Sequence, residues 1–161
     1  MAKISAALIK ELRDATGAGM MDVKKALEEA EGDVARAKEL IRAAGVAAAG
    51  KREGRKAQEG FVASKVVSEN GKQTGYAVEL NSETDFVAKT PQFVEFGDEV
   101  LSDVIAATAS NEKEVLAASS KAGTVEQTIE EAGALFHEHV KLGQFAKISG
   151  DRVEIYAHKK S

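Results

Sequence analysis

Residues Phe61 to Thr90 read FVASKVVSENGKQTGYAVELNSETDFVAKT, and this stretch decides the architecture. FVASKVV and TGYAVEL are rich in β-branched and aromatic residues with a period of two. Between them lies Glu69-Asn70-Gly71-Lys72. Asn-Gly supplies the two positive-φ positions of a tight hairpin turn, so the spacing predicts two paired antiparallel strands. The apolar run then ends at Leu80, polar residues follow, and a large aromatic, Phe86, stands directly after Asp85 where the chain is turning. A ring there is either a core residue at a strand end or a group kept for another molecule.

Downstream of this stretch, Thr90 with Pro91 opens a helix that places Phe93, Phe96, Val100, Leu101, Val104 and Ile105 on one face, suited to cover the sheet. Asn111 with Glu114 and Thr124 with Gln127 have capping-box spacing and open two further helices. Gln144 to Ile148 and Val153 to His158 read as a closing hairpin around Gly150-Asp151. Upstream, the period is helical. Ser5 caps a helix carrying Leu8, Ile9 and Leu12, which Gly17 and Gly19 close. MMDVKKALEEAEG is a second helix, and Asp33 caps a third with Val34, Ala37, Leu40 and Ile41 inward and Gly45 at its C-cap. The expected division is a three-helix bundle over residues 1–50, a basic linker over 51–60, and an α+β core over 61–161. Most buried side chains of the bundle are small, which makes it marginally stable alone.

Composition narrows the function classes. There is no cysteine, hence no disulfide and no thiolate metal site, and no apolar run approaches the ~20 residues a bilayer span requires. The chain reads as cytoplasmic and without a membrane association. Its net charge of -4 conceals an asymmetry: residues 1–56 carry 12 basic and 9 acidic side chains, and the remainder 10 and 17. Wholesale coating of nucleic acid by the acidic part is therefore disfavoured.

Several motifs invite chemistry. GVAAAGKR, Gly45 to Arg52, fits a phosphate loop except that Arg52 stands where a Ser or Thr hydroxyl must hold magnesium, and it follows a helix instead of a strand. Lys51, Arg52, Arg55 and Lys56 form either a solvated linker or a patch for an RNA backbone. His137 and His139 flank Glu138 on an expected helix, where residues two apart diverge and share no metal. Of the adjacent Met20 and Met21, one is expected in the core and the other is available as an adaptable contact. No nucleophile–base grouping is recognisable by spacing, so no enzyme activity, cofactor or small-molecule substrate is expected.

TGAGMMDVKKALEEAEGD, the basic KREGR with its following EG, and ELNSETDFVAK together resemble the bacterial elongation factor Ts family, over essentially the whole chain. The resemblance implies an N-terminal ubiquitin-associated-type bundle, a linker and an α+β core. It implies a guanine-nucleotide exchange factor that binds elongation factor Tu, GDP-bound and nucleotide-free, close to the ribosome. In that family the motif matching Thr84, Asp85, Phe86 and Val87 approaches the magnesium side of the partner's nucleotide site. Positions matching Arg13, Met20, Met21 and Lys24 face the partner's G domain. Where the family reads Ile-Gly-Glu and an Arg-Arg-aromatic run, this chain has Phe136-His137-Glu138 and Gly143-Gln144-Phe145, and no contact is carried over to them. Family members of this type continue past Tyr156-Ala157-His158 into a second core half. The other readings are a translation-associated RNA-binding protein using residues 51–56, and a small-molecule enzyme.

Overall fold

Ser5 and Gly17 delimit the first helix as their chemistry requires. The Leu8 N–H donates to Ser5 Oγ at 3.2 Å, while Gly17, at φ 68°, donates its N–H to Arg13 O in a left-handed C-cap. The computed structural model describes residues 4–158, so residues 1–3 and 159–161 of the expected bundle and core lie outside it. In chain order the elements are α1 (Ala6–Thr16), α2 (Met20–Glu29), α3 (Val34–Arg52), β1 (Glu59–Glu69), β2 (Lys72–Ser82), α4 (Asp85–Ala88), α5 (Pro91–Ala106), α6 (Glu112–Ala117), β3 (Ser119–Ser120), β4 (Gly123–Thr124), α7 (Val125–Phe136) and β5 (Lys141–Gly150). Helices and an antiparallel sheet make the chain α+β. It divides into two compact units, residues 4–55 with 130–138 and residues 56–129 with 139–158.

The helical unit is built on Leu12, Val23, Ala26, Leu27, Ala30 and Ala37, with Leu8, Ile9, Val34, Leu40 and Ile41 packed around them. Three of the six buried residues are alanines, so little apolar area is removed from water per residue. Gly45 does not cap α3: the helix runs on to Arg52, because alanines and basic residues after Gly45 are good helix formers that outweigh one glycine. The expected linker 51–60 is thus shared between the end of α3 and the start of β1 at Glu59. Residues 130–138, which the sequence placed with the core, belong to this unit. Leu135 lies against Gly17, where a Cβ would come within 2.7 Å of Leu135 Cδ1, and the Arg52 guanidinium donates to Gly133 O.

In the second unit the sheet has the order β1-β2-β5, antiparallel throughout. Glu69 pairs with Lys72 across Asn70 (φ 52°) and Gly71 (φ 77°), the two positive φ angles of the hairpin turn expected for Asn-Gly. Thr74, Tyr76, Val78 and Leu80 alternate along β2 onto one buried face. There α5 covers them with Phe93, Phe96, Val100, Leu101 and Val104. Gly97 lets the Phe61 ring approach, since a Cβ would lie 2.6 Å from Phe61 Cδ1. On the other face Val62 and Ile148 are exposed.

The closing hairpin is not formed. Gln144 to Ile148 lies within β5, which pairs with β2, and residues 153–158 form no strand. The Val153 N–H goes instead to the Gln73 side chain at 2.7 Å, and its side chain occupies the space over Gly75, so the segment has no ladder to join.

Candidate functional site

The site begins where β2 ends. Asn81 is buried, and its amide donates to Glu79 Oε1 at 2.9 Å and to Glu59 O at 3.3 Å, tying the strand end to the start of β1. Register slips by one residue between Val78 and Leu80, where Glu79 faces both Gly143 and Gln144, and Glu79 Oε2 accepts the Gln144 N–H at 3.2 Å. Ser82, fully buried, donates to Thr84 O at 3.0 Å. Glu83 Oε1 accepts the His139 N–H at 2.6 Å. The exit from the sheet is therefore held by side chains on both sides.

Thr84 then starts a helix only one turn long. Its Oγ1 accepts the Val87 N–H at 3.3 Å, and Thr90 closes the turn by donating its hydroxyl to Val87 O at 2.8 Å while capping α5 through the Phe93 N–H. Four-residue helices are not stable by themselves. Here two threonine caps and the buried Ala88 fix the turn to the sheet and to α5. Phe86 projects from it 81% exposed, whereas Phe93 is fully buried, so Phe86 is not a core residue.

Asp85 is half-exposed beside Phe86. Lys89 Nζ sits 2.7 Å from Asp85 Oδ2, an i,i+4 pair across the turn. The hydrogen bond from Lys89 and then its charge hold the Asp85 carboxyl below its ordinary value of 3.8. The same contact, with Glu59 adding a smaller charge effect, raises Lys89 above 10.5. Both groups are ionised at neutral pH.

The residues expected on the helical unit are all at its surface. Arg13 is exposed in the last turn of α1, and Lys24 pairs loosely with Glu28 at 3.7 Å. Met20 and Met21 are 60% and 64% exposed, so neither is core, contrary to the expectation for one of them. The reason is register: the inward face of α2 starts at Val23, and the first turn lies beyond the hydrophobic cluster. Thr84–Val87 and the Arg13–Lys24 set lie in different units.

The two histidines are not placed on a helix as expected. Helix α7 ends at Phe136 and His137 takes φ 55°, so His137 and His139 do not share a helix. Among the described residues no group of three His, Cys, Asp or Glu is placed to hold a metal. An open hollow of about 670 Å³ lies between Ser110–Lys113 and Phe145–Lys147, with no histidine or second carboxylate in its wall beside Glu112. No described helix is long and apolar enough to cross a membrane. Sequence reasoning missed Lys89, although its i,i+4 spacing from Asp85 was visible, and missed the Glu83–His139 bond, which spans 56 positions and left no local trace.

A polar strand end, a capped single turn and an exposed aromatic beside a paired carboxylate thus lie together at the end of β2 on an α+β scaffold. Residues 83–161 match the family model described as elongation factor TS. The whole chain is 70% identical to elongation factor Ts of Bifidobacterium animalis subsp. lactis and 71% identical to that of Bifidobacterium adolescentis, covering 56% and 55% of those proteins. It is 48% identical to elongation factor Ts of Kocuria rhizophila, of which it covers 57%. The chain is similar to elongation factor Ts along its whole length and spans a little over half the length of the curated relatives it matches.

Proposed function

We propose that these residues bind elongation factor Tu and promote release of its GDP by disturbing the magnesium and phosphate region, as a cytoplasmic factor of protein synthesis that breaks no bond. The observation that carries the reading is Phe86, an apolar ring held in water on a doubly capped turn next to an ionised Asp85. A folded chain gains nothing from exposing such a ring. A partner pocket gains roughly 1.5–3 kcal/mol by burying one. Magnesium keeps few ligands at strict octahedral geometry, so a wedge and a carboxylate arriving beside it weaken its hold on the nucleotide. Coupling is reciprocal: the factor by which this chain prefers the empty partner is the factor by which it loosens GDP. Thr84 and Val87 hold the turn, while Arg13, Met20, Met21 and Lys24 supply the second contact, methionine being suited to adaptable packing.

The RNA-binding alternative draws less support, because Arg52 spends its guanidinium on the carbonyl oxygens of Ala48 and Gly133. Fluorescent GDP release from purified elongation factor Tu tests the proposal. Acceleration that grows with the concentration of this chain is expected. Unchanged release across the full range would contradict it.

A further inference from the structure

Phe86 and Lys89 are three residues apart on one turn of backbone, which puts their side chains on neighbouring sides of α4. Whatever pocket receives the ring therefore meets the Lys89 ammonium at its rim. The Lys89 side chain is 77% exposed, and the contact of its ammonium with Asp85 Oδ2 uses one of three donors. An ion pair at the surface is weak because water competes for both charges, so it opens readily when a better anion arrives.

The proposed function, on which this inference rests, brings Asp85 towards a nucleotide's phosphates. A lone carboxylate would be repelled there. We propose that Lys89 is a docking residue of the exchange site: it cancels the Asp85 charge during approach and then gives its ammonium to the anionic phosphate region, leaving Asp85 to face the metal. This differs from a role confined to holding Asp85 in place, because the ammonium itself makes the second contact. Rim charges of this kind act on the association rate and its salt dependence more than on the final affinity.

The test is stopped-flow association of the whole chain with GDP-bound elongation factor Tu over a series of KCl concentrations, alongside stimulated GDP release. Lys89→Ala and Lys89→Gln are expected to associate about three- to tenfold more slowly at low salt, with the difference vanishing at high salt. Lys89→Arg is expected to retain the wild-type rate. In an Asp85→Asn background, Lys89→Ala should still slow association. Disappearance of the effect in that background would overturn the inference, since Lys89 would then act only through Asp85. Equal rates and salt slopes for Lys89→Ala and wild type would overturn it as well, while leaving the exchange activity standing. If the wild type itself fails to speed GDP release, the proposed function falls and this inference with it.

Discussion

The Glu83 carboxylate accepts the backbone N–H of His139 at 2.6 Å, joining the turn before α4 to the segment that leads into β5. The bond is part-buried and charge-assisted, which makes it stronger than a neutral one and costly to leave unmade. Glu83→Ala is expected to destabilise the protein by about 1–3 kcal/mol in urea unfolding. It should also lower maximal GDP release, because the support of the turn carrying Phe86 is loosened on one side.

Phe86 and Phe93 provide an internal contrast. Phe93→Ala removes a fully buried ring and is expected to cost about 3–5 kcal/mol. Phe86→Ala removes a ring already in water and should change stability by no more than about 0.5 kcal/mol. Thermal unfolding of the two variants distinguishes them.

The pH response of the Asp85–Lys89 pair is fixed by its two shifts. The lowered Asp85 value means that its contribution is complete above 3.8 and is lost as pH falls through the folded value. The raised Lys89 value means that its contribution is complete below 10.5 and is lost as pH rises through the folded value. Stimulated exchange should therefore show no titration from this pair between pH 6 and 9, roughly the range in which both shifts leave it ionised. A step in that range that disappears in Lys89→Ala would contradict the assignment.

In the helical unit, Gly17 carries a left-handed φ of 68° and lies under Leu135. Gly17→Ala is expected to cost about 1–3 kcal/mol, since a side chain is strained at that φ and its Cβ meets Leu135. Met20→Ala with Met21→Ala should leave the melting temperature unchanged, because both side chains are exposed, yet weaken binding of elongation factor Tu. Calorimetry and a binding titration separate these outcomes.

The sequence carried the local devices well. The Asn70-Gly71 turn, the Thr90-Pro91 start of α5 and the reciprocal capping box of Thr124 and Gln127 appear as their chemistry dictates, because each is decided within a few residues. What escaped it depends on distant partners. Gly45 reads as a stop, but the residues after it extend α3 to Arg52. The strand-like Val153 to His158 finds no ladder, since Val153 is engaged by Gln73. At the site, Phe86 was legible as an anomaly, and its exposure required the fold. The Asn81 and Glu83 anchors were not legible, because their partners, Glu59 and His139, are set by strand register and by the return of the chain after α7.

The most direct measurement is the rate of GDP release from elongation factor Tu at saturating concentrations of wild-type chain and of Phe86→Ala, with binding followed separately. The account predicts that Phe86→Ala still binds, keeps its melting temperature, and releases GDP at least about tenfold more slowly, the equivalent of ~1.4 kcal/mol withdrawn from the wedge. A Phe86→Ala chain that binds and releases GDP as fast as the wild type would contradict it.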